Sequence, residues 1–178
     1  MRLVVTGEID GRSVVTSDEP VQPRVLDVFP GAEFYLLWGS DRMPTLPAPG
    51  DRPIEAWIPG PLGARFGVSV LPPFYGPSGD DLRAGLEEIE RRLPGLAPSL
   101  ELDHPGMHTT DTIDFVLVIS GTATLELDAG GSVRLAAGDC VVQSGNRHAW
   151  RNETDEPCVL AISMVGSYRA ERVDVDPS

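Results

Sequence analysis

The feature that most constrains this chain is the regular alternation of its C-terminal half. From Thr112 onward short runs rich in β-branched and apolar residues ("TIDFVLVIS", "GTATLELD", "SVRLA", "CVVQS", "GNRHAWRN", "CVLAISMV") are separated by turn signals such as "AGG", "AGD" and "ETDEP". Strands recurring at roughly 8–12-residue spacing with turns between them predict an antiparallel sandwich or barrel. The 19 glycines and 17 prolines in 178 residues agree with a turn-rich β fold and disfavour a helical bundle. A chain of this length buries about 70% of its unfolded surface, so one domain needs neither disulfides nor metal simply to fold.

The N-terminal half reads less regularly. "RLVVT", the turn candidate Asp10-Gly11, "RSVVTS", "RVLDVF" and "EFYLLWG" are expected to be short extended pieces. Residues 40–63, rich in proline and glycine, predict a loop that wraps a surface, and "RFGVSVLPP" predicts a further strand. One helix is expected from about Asp80 to Leu93. Ser78 or Asp80 can cap it, and Leu82, Leu86, Ile89 and Leu93 form one stripe. Glu87/Arg91 and Glu88/Arg92 are i,i+4 pairs, and Pro94-Gly95 ends the run. The expected organisation is N-terminal strands and wrapping loop over 1–65, a barrel over 66–170 and an acidic tail over 171–178.

Formal charge is −13, and all fourteen cations are arginine with no basic cluster. Nucleic acid and anionic membrane, both bound by neutralising negative charge, are therefore not expected partners. Cys140 and Cys158 lie in apolar runs and read as buried free thiols. With no apolar leader at "MRLVVTGEID" and no long apolar span, the expectation is a soluble cytoplasmic protein.

Three histidines occur, His104, His108 and His148. On one straight strand His108 and Asp114 would lie about 20 Å apart, too far to share an ion. A reversal at "TTDT", whose residues suit a turn, would make them cross-strand neighbours. In "NRHAWRN", His148, Trp150 and Asn152 share one parity and Arg147, Ala149 and Arg151 the other, so His148 and Trp150 are expected to face inward. A buried histidine beside a buried tryptophan is either a hydrogen-bonded core residue or part of a site. Trp150, Phe115 and Met164 are expected to line or pack the barrel. Asp128 and Asp139 read as turn residues, and Glu153, Asp155 and Glu156 as a solvated run. Cys140 has no predicted base beside it and is not expected to act as a nucleophile.

"HTTDTIDFVLVISG" followed by "GDCVVQSGNRHAWRN" resembles the two motifs of the cupin superfamily, over about residues 104–165. His108 takes the first histidine position, Thr110 the second, Asp114 the glutamate position and Gly121 the glycine. Gly138, Gly145, His148 and Asn152 fall on the second motif. The departures are Thr110 for a histidine, Asp114 for the glutamate, Gln143 for a proline, and a gap one residue short between Gly138 and Gln143. This variant resembles single-domain bacterial cupins of the type-2 barrel with a His-x-Thr-x-Thr-x-Asp first motif.

The resemblance implies an all-β double-stranded β-helix, or jelly-roll, barrel with an N-terminal strand extension and one short helix. It also implies a divalent metal (Zn, Fe or Mn) on His108, Asp114 and His148, the same residues being catalytic, with His104 as a reserve ligand. Two imidazoles and a carboxylate suit such an ion and leave positions open. Thr110, Thr112, Gln143 and Trp150 would line the substrate pocket, and no nucleotide cofactor is expected. The implied activity is a lyase, isomerase or cyclase reaction (dehydration, cyclisation or decarboxylation) on a carbonyl-bearing, polyketide-like or aromatic small molecule. Iron would open dioxygenase chemistry. The alternatives are metal-free acid/base catalysis by His108 or His148 with Asp114 orienting the ring, and a non-catalytic barrel that holds a metabolite. A homodimer formed through N-terminal strands is the expected assembly.

Overall fold

The structure, a computed structural model, describes residues 1–46, 54 and 56–170. Part of the wrapping loop and the expected tail at 171–178 lie outside the described residues. In chain order the elements are β1 (Arg2–Ile9), β2 (Arg12–Pro20), β3 (Glu33–Ser40), β4 (Ala64–Leu71) and α1 (Gly79–Arg92). There follow β5 (Thr112–Ser120), β6 (Thr122–Leu127), β7 (Ser132–Ala136), β8 (Cys140–Ser144), β9 (His148–Arg151) and β10 (Cys158–Gly166). The fold is the predicted all-β double-sheet barrel, with one α-helix among the described residues.

A five-stranded sheet of order β3-β4-β10-β5-β8 faces a three-stranded sheet of order β7-β6-β9. Between them Leu71, Val116, Val118, Ala123, Leu125, Leu135, Cys158 and Leu160 form one buried cluster. The β1-β2 hairpin makes its own two-stranded sheet, turned at Asp10 and Gly11, both at positive φ (50° and 72°). The expected boundary at 65 falls inside β4, and β3 hydrogen-bonds β4 along its length, so the N-terminal segment completes the large sheet.

Helix α1 forms for the predicted reasons. The Ser78 hydroxyl accepts from the Asp81 amide at 3.2 Å, acidic residues occupy the first turn and arginines the last. Its stripe buries Leu82 and Ile89 completely, with Leu93 beyond the last turn, against Leu26, Phe29, Phe34, Trp57 and Met164. Glu88 departs from the predicted pairing with Arg92 and instead accepts from the Asp27 amide at 3.0 Å. This clamps α1 to the segment before β3.

Three expectations are corrected. "RVLDVF" is not a strand: apart from a bridge between Arg24 and Phe34 it turns, the Phe29 amide donating to Leu26 at 3.1 Å, because Leu26 and Phe29 are drawn into the helix-side core. Phe115 faces outward and is exposed, since it alternates with inward-facing Thr112, Asp114, Val116 and Val118. Both thiols are free, but Cys140 is exposed while Cys158 is buried.

Gly121 joins β5 to β6 at φ 76°, and a Cβ there would sit 2.3 Å from the Pro157 carbonyl oxygen. Only glycine fits this crossing of the two sheets.

Candidate functional site

A cavity of about 110 Å³ opens between the sheets, walled largely by apolar side chains including Phe29, Phe34, Trp57, Val116, Leu160 and Ile162. Strand register decides which polar groups reach it. On the large sheet Asp114 lies opposite Met164 of β10 and Gln143 of β8, so the three form one row across adjacent strands, all lining the cavity.

His108 and His148 line the other part of the cavity. They are cross-strand partners: the His108 amide donates to the His148 carbonyl at 2.9 Å and the His148 amide returns the bond at 3.0 Å. The two rings lie 4.2 Å apart between centroids. Each Nδ1 sits against a backbone carbonyl, Gly106 O at 3.0 Å for His108 and Asn146 O at 2.9 Å for His148. A carbonyl oxygen only accepts, so each Nδ1 carries the proton and each Nε2 holds a free lone pair. Neither Nε2 has a hydrogen-bond partner among the described residues.

Electrostatics keep this pair neutral. Burial, followed by the proximity of His108, pushes His148 down to about 4. Burial likewise lowers His108, the carbonyl of Gly106 opposing it. Asp114 moves the other way: desolvation raises its carboxyl above the usual carboxylate range, opposed by a hydrogen bond from Thr112. Its Oδ1 is buried without a hydrogen-bond partner, and so is Nε2 of Gln143.

The remaining predicted residues are distributed as follows. Thr110 and Trp150 line the cavity; Thr112 does not, its hydroxyl pairing with that of Thr110 at 2.7 Å behind the wall. The predicted inward parity of His148 and Trp150 is observed. Ala149, on the opposite face, is also fully buried, and Arg147 and Arg151 there are engaged by Glu101, Asp128 and Glu126. Asn152 is a structural clip: fully buried, it donates to the carbonyls of Leu71, Pro72 and Glu156 and accepts from Thr154. His104 is exposed beside Glu101 and does not line the cavity. Sequence reasoning missed Phe29, Phe34 and Tyr75 as cavity residues, their only signal being that a barrel needs a plug; Trp57 and Ile58, from the loop over residues 40–63, complete the apolar wall.

The metal that the sequence resemblance implies would require His108, Asp114 and His148 to converge. Among the described residues no three His, Cys, Asp or Glu side chains are grouped to hold an ion. Topology explains this. His108 pairs with β9 of the small sheet, residues 109–111 carry the chain across, and Asp114 emerges in β5 of the large sheet. The expected cross-strand pairing of His108 with Asp114 is replaced by that of His108 with His148. The three residues thus do not fit an ion as a set, and a two-imidazole pair is what remains.

Residues 100–165 match the family described as Cupin domain. The chain is 34% identical over 143 residues to the "Oryzines biosynthesis cluster protein J" of Aspergillus oryzae, covering 72% of this chain and 78% of that protein. It is 46% identical over 48 residues to the "Phomopsin biosynthesis cluster protein C'" of Diaporthe leptostromiformis, a match covering 27% of this chain and 25% of that one. Among solved structures it is similar to the Cnp3 cupin domain of Schizosaccharomyces pombe, at TM-score 0.49 and 9% identity over 93% of this chain and 88% of that one. It is also similar to a predicted oxalate decarboxylase of Thermotoga maritima, at TM-score 0.46 and 15% identity over 82% and 92%. With its two-sheet barrel, the motif glycine at 121 and the paired His108 and His148, this chain belongs to the cupin superfamily.

Proposed function

We propose that this cupin is a biosynthetic enzyme that moves a proton within a small carbonyl-bearing substrate, giving dehydration, isomerisation or cyclisation. The observation that carries this reading is the imidazole pair: a buried His148 and a half-buried His108, each ring fixed by a backbone carbonyl, line a largely apolar cavity with their Nε2 lone pairs unpartnered. The similarity to a protein named for a biosynthesis cluster supports the small-molecule setting.

In the proposed step Nε2 of His108 takes a proton from the carbon beside the carbonyl. The C–H electron pair becomes a carbon–carbon π bond and the carbonyl π pair moves onto oxygen, giving an enolate. The imidazolium then returns its proton to a hydroxyl that leaves as water, to a different carbon, or, in a cyclisation, to the alkoxide formed when the enolate carbon bonds to a second carbonyl carbon of the substrate. With the rings 4.2 Å apart the pair takes up one additional proton, not two, so His148 stays neutral while His108 is charged. The rings are oriented by Gly106 and Asn146, not by Asp114 as the sequence suggested. A metal-assisted version of the same chemistry would need a third donor beside the two imidazoles.

The second reading, a barrel that holds a metabolite without changing it, is favoured by the predominance of apolar wall residues. Proton exchange separates the two. Wild-type protein is incubated in deuterated buffer with a panel of β-hydroxyketones and 1,3-dicarbonyls, and deuterium uptake is read by mass spectrometry. Catalysis predicts uptake that is lost in His108→Gln and His148→Gln variants of unchanged circular dichroism. No uptake by the wild type above the buffer rate would overturn the enzymatic reading in favour of the binding barrel.

A further inference from the structure

The row across the large sheet contains the two side-chain polar atoms that are fully shut off from solvent and left without a hydrogen-bond partner among the described residues. Asp114 is 8% exposed and Gln143 3%, both line the cavity, and they stand directly opposite each other on β5 and β8. A buried polar atom without a partner carries a desolvation penalty that a native fold relieves by water, ion or ligand. Here the two orphans are complementary: Oδ1 of Asp114 accepts and Nε2 of Gln143 donates. Neither takes part in the proposed proton transfer.

A second observation limits the charge of the occupant. Among the described residues no arginine lines the cavity, and the chain has no lysine. Arg65 lies on the same inward face of the large sheet, opposite Met164 on β4, but its guanidinium is taken by Asp41 and by the carbonyls of Ser40, Ala56 and Ala64. An anionic substrate entering the cavity would lose its hydration, gain no fixed positive charge and face the Asp114 carboxyl.

We propose that the Asp114–Gln143 pair is the recognition subsite of this cavity, and that it selects an uncharged compound with a hydrogen-bond donor next to a carbonyl, the simplest such head group being a primary amide. Gln143 donates to the carbonyl oxygen and Asp114 accepts the neighbouring N–H, while the apolar walls hold the hydrocarbon part. The subsite deepens the reading of the cavity as a substrate site, but its test does not depend on turnover.

Isobutyramide, isobutyrate and methyl isobutyrate share a carbon skeleton that suits a cavity of about 110 Å³. The amide keeps donor and acceptor, the ester loses the donor, and the carboxylate brings a charge. Binding is followed by NMR on the Gln143 side-chain amide and the Trp150 indole at neutral pH. The amide is expected to shift both signals and to bind at least about tenfold more tightly than either analogue. Gln143→Leu should weaken the amide about tenfold without improving the carboxylate. Asp114→Asn should narrow the preference of amide over carboxylate, a change that a merely structural role would not produce. Equal binding of isobutyrate and isobutyramide, or no response to the amide, overturns the proposal. His108→Gln separates the two readings: amide binding retained while deuterium exchange is lost supports both, and amide binding lost with exchange intact in the wild type sinks the subsite alone.

Discussion

Acidification tests the imidazole pair most directly. Folding lowers the His148 pKa from the ordinary 6.5 to about 4, through burial first and His108 second. A group whose folded pKa is depressed binds its proton more readily in the unfolded chain, so its contribution to stability is intact above about pH 6.5 and drains away as pH falls toward 4. At about 1.4 kcal/mol per unit, the drop from neutral pH to about pH 4.5 removes on the order of 2–3 kcal/mol through His148. Burial lowers His108 as well, which adds to the loss. Asp114 acts with the opposite sign: its carboxyl is raised by desolvation, so protonation below its folded pKa relieves a penalty and returns part of the stability. The assay is denaturant unfolding at a series of pH values for wild type and His148→Gln, with the imidazole Cε1 protons followed by NMR. The wild type should lose about 2–3 kcal/mol more than the variant between neutral pH and about pH 4.5. His148 should titrate near 4 in the folded protein. Parallel pH profiles, or a His148 resonance that titrates near 6.5, would refute the claim that the pair is held neutral.

Three further outcomes follow from the geometry. Asn152→Leu removes the donor to three carbonyls and the acceptor for Thr154, and should cost about 3 kcal/mol in unfolding; a loss under about 0.5 kcal/mol would show that water replaces the clip. A thiol reagent should modify Cys140 promptly in the native protein but Cys158 only on unfolding, because Cys158 is fully buried and burial pushes its thiol up to about 11; rapid modification of both would mean that the core between the sheets opens readily. The outer face of the large sheet exposes Ile113, Phe115, Leu117, Ile119 and Val142 together, and this stripe is expected to be covered by a second copy. Light scattering should give twice the 19.1 kDa chain mass, and Phe115→Glu with Leu117→Glu should return the monomer; a monomeric wild type would refute it.

The strands and the helix were legible because their signals are local. Period-2 runs bounded by turns, and a capped stripe of leucines, do not depend on the rest of the chain. The direction in which a strand faces was less legible. In β5 one parity carries Thr112, Asp114, Val116 and Val118 and the other Ile113, Phe115, Leu117 and Ile119. Hydropathy alone favours burying the second set, yet the first is buried, since the barrel's interior holds a polar site and its outer face is apolar. Asp114 and Phe115 are adjacent in a strand and cannot both face inward, so expecting both to line the barrel was inconsistent from the start.

The candidate site was half legible for a related reason. The sequence identified His108, Asp114 and His148 and placed all three at one cavity, where they are found. It could not say which strand each would pair with, because spacing along the chain does not record a passage from one sheet to the other. Residues 109–111 make that passage. It sets the imidazole pair beside the small sheet and the Asp114–Gln143 row on the large one, with no hydrogen bond joining the two groups among the described residues. A site split in this way differs chemically from three ligands around one ion. Each half is incomplete: one offers lone pairs without a donor, the other an unpaired donor and acceptor. A molecule lodged between the sheets, bound by its polar head at the row and exposed to proton transfer at the pair, would complete both.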